Sequence, residues 1–259
     1  MSQESVQPGK GANIIKGFLS SFSYFSVLPI RAKEVTPNKE FYNVMLFTMP
    51  FVGFVLGLLT ILAFNFLQGM FALPYAAFIS AALYIALYGF LHLEAVSDVI
   101  DAWFASLSGK DASVVMKEPQ VGAIGAVGTT VIVILKLAAI TYLLINDNTA
   151  MFLAAIILSR FAGIVGLGVF DYKKGGEYTI NLSLSAGFGL IFFAAIFYMS
   201  LLAFPLGIDH VIVLTVFAVL FTLFLLYKLD SKFGFVNGDC IGFSIVVTEI
   251  ALLNLGLLV

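Results

Sequence analysis

The segment 92–101 contains three carboxylates, Glu94, Asp98 and Asp101, at spacings that place them on one face of a helix. At 100° per residue, the three side chains fall within an arc of about 60° and lie roughly 5–6 Å apart. Like charges at this distance repel one another, and a divalent cation would offset that repulsion. Mg²⁺ prefers a few carboxylates together with the phosphate oxygens of its substrate. The spacing therefore indicates either a Mg²⁺ site or an acidic helix face that is exposed to solvent.

Two further segments have the composition of turns that open helices. The segment 116–125 contains Lys117, Pro119, Gly122 and Gly125. The first amides of a helix that begins here could receive a phosphate, and Lys117 could add a positive charge; a plain loop with an exposed lysine is the alternative. The segment 237–242 has an Asn-Gly turn followed by an aspartate, a pattern that helix capping also explains.

The composition shows what must position these segments. The chain has 259 residues, of which 61% are hydrophobic and 11% are charged, and its mean hydropathy is +1.07. Soluble domains are about 45–50% apolar and about 25% charged, so a soluble domain and a disordered chain are both excluded. The net charge of −2 argues against a nucleic-acid partner, and the single Cys240 cannot form an internal disulfide. We therefore expect a single polytopic membrane domain over residues 1–259, with a polar tail at 1–13.

The apolar runs predict an all-α integral membrane protein with about seven transmembrane helices. Each run reaches roughly the 20 residues that a helix needs to cross ~30 Å of hydrocarbon. The predicted spans are 43–67, 72–91, 122–145, 150–170, 186–206, 210–228 and 241–259. The stretch 14–30, with four serines and Pro29, is predicted to be an interfacial or re-entrant helix.

The loops between these spans differ in length and charge. Basic residues are concentrated in the long loops 31–42, 92–121, 171–185 and 229–240, whereas the short loops 68–71, 146–149 and 207–209 contain no Lys or Arg. By the positive-inside rule, the long loops are cytoplasmic. We therefore expect the candidate chemistry at the cytoplasmic face.

Three ionisable residues lie inside the predicted spans, where each is expensive and suggests a function. Arg160 and Glu249 lie roughly 15 and 12 Å from the cytoplasmic ends of their helices, so they could pair with each other. Lys136 lies roughly 21 Å deep, and we expect its amine to snorkel to the outer interface. Small residues also recur every four positions in these spans, a pattern typical of close helix packing, at Gly53, Gly57, Ala155, Ser159 and Gly163.

The segment 91–125 resembles the signature of the cobalamin synthase family, the adenosylcobinamide-GDP ribazoletransferases. The matching residues are His92, Leu93, Asp98, Asp101, Met116, Lys117, Gly122 and Gly125. The resemblance continues along the chain with Ser159, Arg160, Gly238, Asp239, Gly242 and Glu249. Glu94 and Glu118 stand where the family usually has Asp, and Gln120 replaces an arginine that could contact phosphate.

This resemblance implies a Mg²⁺-dependent transferase of the bacterial inner membrane. Such an enzyme joins α-ribazole, or its 5′-phosphate, to adenosylcobinamide-GDP and releases GMP. The implied Mg²⁺ ligands are Glu94, Asp98 and Asp101. The implied catalytic residues are His92, Lys117, Arg160 and Asp239, and the implied substrate contacts are Lys117, Gly122, Gly125, Gly238, Gly242 and Glu249.

Two other functions remain as alternatives. A CDP-alcohol phosphotransferase of lipid synthesis would also carry aspartates and Mg²⁺ on a membrane helix, but its aspartate motif is not found in this sequence. A secondary transporter would use the ionisable residues near the midplane and would often show an inverted repeat, which we do not find. The sequence leaves the oligomeric state open, and a homo-oligomer is one of the assemblies that it allows.

Overall fold

The computed structural model describes residues 10–30, 37–89, 91–170, 172 and 182–258, and every regular element in this part of the chain is helical. A short helical turn also lies at 182–185. The helices are α1 (Lys10–Phe25), α2 (Lys39–Leu67), α3 (Leu73–Tyr88), α4 (Leu91–Leu107), α5 (Ala112–Val115), α6 (Ala123–Ile145), α7 (Thr149–Val169), α8 (Phe188–Leu206), α9 (Ile208–Phe233) and α10 (Gly238–Leu255).

Six of the described helices, namely α2, α6, α7, α8, α9 and α10, are long and apolar enough to cross a membrane. Helices α3 and α4 qualify only together, and they are bent by 82° with respect to each other. The structure therefore confirms the predicted all-α membrane fold, with six spanning helices, or seven if the bent pair counts as one. Helix α3 covers residues 73–88 of the predicted second span, about 72–91, and with 16 residues it is too short to qualify by itself. It ends at Tyr88 and is followed by Gly89, whose φ of +79° is a conformation that favours glycine.

The spanning helices pack around α7, which has the largest buried share among them. Helix α2 crosses α7 closely, since a Cβ added at Gly53 would lie 2.9 Å from Cδ of Arg160, and one added at Gly57 would lie 2.6 Å from Leu153. Gly163 of α7 approaches Ile245 of α10 in the same way. These contacts confirm that the small residues allow close helix packing.

The contacts between helices also fix their directions. Residues 53 and 57 of α2 lie opposite residues 160 and 153 of α7, so α2 and α7 are antiparallel. Residues 163 and 151 of α7 lie against residues 245 and 256 of α10, so these two helices are antiparallel as well. Residues 136 and 143 of α6 approach residues 249 and 256 of α10, so α6 and α10 run parallel. Helices α2, α6 and α10 therefore begin at one end of the bundle, which we call the site end.

Helix α1 behaves as a re-entrant helix. Gly17 approaches Phe41 of α2, whereas Phe22 contacts Phe51, so α1 runs alongside the first part of α2 in the same direction. At its far end, the Val27 amide donates a hydrogen bond to the Leu87 carbonyl near the end of α3 (3.0 Å). Because α2 begins again at the level where α1 starts, the chain enters the bundle and returns to the same end. This is one of the two arrangements predicted for residues 14–30.

Candidate functional site

A cavity of about 640 Å³ lies at the site end, between α1, α4 and α10. Its inner wall is apolar and includes Leu46, Met49 and Ile245. Polar side chains lie along the rest of its lining, at His92, Lys117, Asn237 and Asp239. A concave site with an apolar wall and a few convergent polar groups is the usual form of a small-molecule site. The cavity is therefore the candidate binding site.

Three carboxylates lie close to one another beside this cavity, and we call Glu94, Asp98 and Asp239 the acidic cluster. Burial, followed by the charges of Asp239, Glu94 and Asp101, raises the pKa of Asp98 to about 6. Burial and the nearby Asp239 also raise the pKa of the Tyr24 phenol in α1. Among the described residues, no Lys or Arg nitrogen lies within 4.0 Å of any carboxylate of the cluster. The negative charge of the cluster is therefore not paired with a cation in the part of the chain that the structure describes.

The cluster is positioned by the starts of two helices. Asn237 caps α10 by accepting a hydrogen bond from the Cys240 amide (3.0 Å), and its side-chain amide donates to Asp239 (2.9 Å). The same amide lies 3.6 Å from the sulfur of Met116 in the segment that leads to α6. The Asn-Gly-Asp turn therefore does more than cap a helix, because it also fixes the orientation of the Asp239 carboxylate.

Asp101 contacts the start of α6. Its two oxygens accept hydrogen bonds from the amides of Gly122 and Gly125, each at 2.7 Å, at the start of α6. A side-chain carboxylate therefore occupies the helix N-terminus that the sequence assigned to a substrate phosphate. Among the described residues, no group of three or more His, Cys, Asp or Glu side chains is arranged to hold a metal ion. Asp101 is thus a cap of α6, and the Mg²⁺ ligand set of Glu94, Asp98 and Asp101 stays a prediction.

Gly125 leaves room for this cap. A Cβ at position 125 would lie 2.6 Å from Cγ of Asp101 and 2.7 Å from the Ser97 carbonyl oxygen. We expect Gly125→Ala to displace Asp101 and to lower the free energy of unfolding by about 1–3 kcal/mol. Thermal unfolding in detergent measures this effect. Gly189→Ala is the matched control because its Cβ would meet no atom within 4 Å, and equal stability of the two variants would contradict the capping role.

A second polar cluster lies deeper in the bundle, and we call Lys136, Arg160 and Glu249 the buried charge cluster. The Lys136 amine lies 2.9 Å from one oxygen of Glu249, and the Arg160 guanidinium lies 3.0 Å from the other. Tyr84 donates to Glu249 and accepts from Arg160, both at 3.0 Å. The predicted contact of Arg160 with Glu249 is confirmed. The prediction that Lys136 snorkels outward is wrong, because its amine finds a carboxylate inside the bundle.

His92 connects the cavity with this deeper region. Its side chain is 5% exposed and lines the cavity, and its ring lies 5.0 Å from that of Tyr88 and 6.0 Å from that of Phe25. In the described part of the chain, its imidazole has no hydrogen-bond partner. A buried, unpartnered imidazole facing a cavity is available to accept a proton or a hydrogen bond from a bound molecule.

The structure separates the predicted site residues into three groups. His92, Lys117, Gly238, Asp239 and Gly242 line the cavity. Asp98, Asp101 and Gly122 line a neighbouring depression of about 410 Å³, with Gly125 buried behind Asp101. Arg160 and Glu249 line neither, because they lie beneath the cavity.

Sequence reasoning missed two participants in these clusters, Tyr84 and Tyr88, and one contact, that of Asp239 with Asp98. Tyr84 and Tyr88 belong to an apolar run whose aromatic residues carry no spacing signal. The approach of Asp239 to Asp98 joins helices 141 positions apart along the chain, so no local pattern could predict it. The only available signal was the presence of another carboxylate at a predicted helix start on the same side of the membrane.

Comparisons with known proteins give this site its context. The model of a family described as Cobalamin-5-phosphate synthase matches residues 17–257. A protein of Treponema denticola named Adenosylcobinamide-GDP ribazoletransferase is 24% identical over 93% of this chain and 96% of its own length. Proteins of the same name are 26% identical in Thermodesulfovibrio yellowstonii, over 93% of this chain and 95% of the relative, and 28% identical in Acinetobacter baumannii, over 91% and 94%. No solved structure matches the chain. Because the family model covers almost the whole sequence, the chain belongs to the Cobalamin-5-phosphate synthase family.

Proposed function

We propose that the chain is an adenosylcobinamide-GDP ribazoletransferase that joins α-ribazole, or its 5′-phosphate, to adenosylcobinamide-GDP and releases GMP. The observation that carries this proposal is the family match over residues 17–257, together with relatives of that name that align along nearly their full length. The cavity beside uncompensated carboxylates is the kind of site that phosphoryl transfer needs. These findings favour the transferase over a CDP-alcohol phosphotransferase or a secondary transporter.

The reaction is a displacement at phosphorus. A ribose hydroxyl of the ribazole attacks the phosphorus atom attached to the cobinamide side chain, and a new oxygen–phosphorus bond forms. The bond to the bridging oxygen breaks, and GMP leaves with that oxygen and its electron pair. His92 lines the cavity, its imidazole makes no hydrogen bond to a described residue, and it is the group that we assign to accept the hydroxyl proton. Lys117, exposed at the mouth of the cavity, is assigned to the substrate phosphates.

The acidic cluster is suited to hold Mg²⁺. Mg²⁺ usually binds one or two protein carboxylates and completes its shell with water and substrate phosphates, so it does not require three converging side chains. Asp98 and Asp239 supply two such carboxylates, neither of them in an ion pair with a described residue, and Glu94 is an exposed third. When bound, the ion would neutralise charge that develops on the phosphoryl oxygens. We therefore assign Asp98 and Asp239 as ligands and leave Asp101 as a cap.

Transfer by the purified protein tests this function. Incubation with adenosylcobinamide-GDP and α-ribazole 5′-phosphate in the presence of Mg²⁺ should release GMP and form one cobamide product per GMP. Omission of the ribazole should abolish GMP release, since the ribazole is the nucleophile. Failure to release GMP with either α-ribazole or its 5′-phosphate would refute the proposal.

The charge of the loops supports a location in the inner membrane with the site end in the cytoplasm. Lys110 follows α4 at the site end, whereas Asn146 follows α6 at the opposite end, and both are exposed. A cysteine introduced at Lys110 should react with an impermeant thiol reagent only after the cells are opened. A cysteine at Asn146 should react in intact cells. The native Cys240 is buried, so it should contribute little background.

The reverse labelling pattern would overturn this orientation. Lys174, which lies in another basic loop of the same predicted side, is outside the described residues. The labelling pair therefore uses only positions that the structure describes.

A further inference from the structure

We propose that the buried charge cluster supplies an unbalanced positive charge beneath the cavity and favours binding of a phosphate group at its inner end. This inference rests on the proposed function and extends it, because it assigns Lys136 as a positioning residue that determines specificity for charged substrate. Lys136 does not touch the cavity, so the effect is electrostatic.

The buried charge cluster contains more cations than carboxylates. Two cations, Lys136 and Arg160, share one carboxylate, Glu249, and their side chains are at most 2% exposed. Their other polar neighbours are Tyr84, Tyr88 and His92, none of which carries negative charge at neutral pH. With both cations protonated, the cluster therefore carries one positive charge that is not balanced within the described residues.

Unused hydrogen-bonding groups support the same conclusion. Nε of Arg160 and the hydroxyl of Tyr88 are buried and have no partner in the described part of the chain. An ion pair with complete internal compensation would be expected to use such groups, because leaving them unpaired is unfavourable. The cluster therefore has hydrogen-bond donors that no described group uses, in addition to its excess positive charge.

The buried charge cluster lies directly beneath the inner wall of the cavity. Ile245 lines the inner wall of the cavity, and Glu249 lies one helical turn further along α10. His92 lines the cavity and contacts Tyr88, and the Arg160 guanidinium carbon lies 4.2 Å from the centroid of the Tyr88 ring. One layer of aromatic rings therefore separates the charge from the cavity. These rings exclude water and dissolved ions, so an anion in the cavity would interact with this charge with little screening.

The acidic cluster and the buried charge cluster place opposite charges at the two ends of the cavity. Its carboxylates lie at the level of the helix starts, whereas the positive charge lies beneath the inner wall. While no cation is bound to the acidic cluster, a free phosphate group would be repelled by the acidic cluster and attracted by the buried charge cluster. Two substrates carry such a group: α-ribazole 5′-phosphate in its monoester and adenosylcobinamide-GDP in its diphosphate. The experiment must therefore distinguish between them.

The test changes the charge without leaving a buried ion unpaired. Lys136→Met retains the contacts among Arg160, Glu249 and Tyr84 and removes the excess charge. We expect the KM for the phosphate-bearing substrate to rise about tenfold with little change in kcat. Lys136→Arg should restore the wild-type KM because it restores the charge. Lys228→Met, which removes an exposed lysine from the end of α9, is the matched control and should leave the KM unchanged.

A comparison with neutral α-ribazole distinguishes an effect of charge on the KM from an effect of a changed structure. If the monoester lies at the inner end, Lys136→Met raises the KM for α-ribazole 5′-phosphate but not for α-ribazole. If the diphosphate lies there, only the KM for adenosylcobinamide-GDP rises. An equal rise for α-ribazole and its 5′-phosphate, or no rise for any substrate, would overturn the inference.

A binding measurement makes the outcome independent of turnover. GMP binding to the wild-type protein and to Lys136→Met is compared by calorimetry, with uncharged guanosine as reference. If Lys136→Met weakens the binding of GMP but not of guanosine, the inference is supported. This holds even if the wild-type protein releases no GMP from adenosylcobinamide-GDP, a result that would refute only the proposed function. Equal GMP binding by the two proteins, with no difference in KM, refutes the inference.

Discussion

Glu249→Gln is expected to be the most destabilising single substitution in the bundle. Glu249 is, among the described carboxylates, the one that pairs with both Lys136 and Arg160, at 2.9 and 3.0 Å. Glutamine keeps its shape but leaves two buried cations next to each other without a counter-charge. Breaking a buried pair in this way costs about 3–5 kcal/mol, and we expect a loss of that order in the free energy of unfolding. Thermal unfolding and the yield of folded protein in detergent measure it.

The other two members of the cluster provide the control for this prediction. Lys136→Met and Arg160→Leu each leave one cation paired with Glu249, so both should be milder than Glu249→Gln. Adding Lys136→Met to Glu249→Gln should recover part of the lost stability because it removes one of the two unpaired cations. Strictly additive losses in this double variant would show that Lys136 and Glu249 are not energetically coupled.

The pairing of Arg160 with Glu249 could be predicted because helix geometry converts sequence position into membrane depth. Both residues lie inside long apolar runs, and a rise of about 1.5 Å per residue places them at similar depths. The same calculation failed for Lys136. Depth alone could not reveal that α6 and α10 run side by side, so that the amine of Lys136 reaches a carboxylate within the bundle.

The role of Asp101 could not be predicted from the spacing on α4. Its partners are amides that lie 21 and 24 positions further along the chain, so the contact depends on where α6 begins in three dimensions. The sequence correctly identified Gly122 and Gly125 as the opening of a helix that can hold an anion. It could not show that the anion is a side chain of the same protein.

The break between α3 and α4 could not be predicted from the length of an apolar run either. Hydropathy continues through residue 91, so the sequence predicted one span over 72–91. The chain turns at Gly89, and α4 then places His92 at the cavity and Asp98 at the neighbouring depression. Composition identified the membrane helices, but it did not identify the bend that gives the site its position.

Asp98→Asn is expected to abolish most of the transferase activity while the protein remains folded. The substitution keeps the shape of the side chain but removes the charge that we assign to Mg²⁺ binding, and the loss of several kcal/mol of charge stabilisation corresponds to a fall in kcat of about 10³-fold. Repulsion from Asp239 and Glu94 also disappears, so the metal-free variant should unfold at the same or a higher temperature. The measurements are GMP release and the rise in unfolding temperature that Mg²⁺ produces.

Asp101→Asn separates metal binding from helix capping. An asparagine at this position can still accept one of the two amide hydrogen bonds of α6, so we expect a loss of stability but a retained response to Mg²⁺. Asp98→Asn should show the opposite behaviour, with normal stability and a greatly reduced Mg²⁺ response. Glu94→Asp should be tolerated because a carboxylate remains at an exposed position. Near-normal GMP release by Asp98→Asn at unchanged Mg²⁺ would contradict the assignment of the acidic cluster to metal binding. The charge of Asp98, which that assignment requires, would then be dispensable.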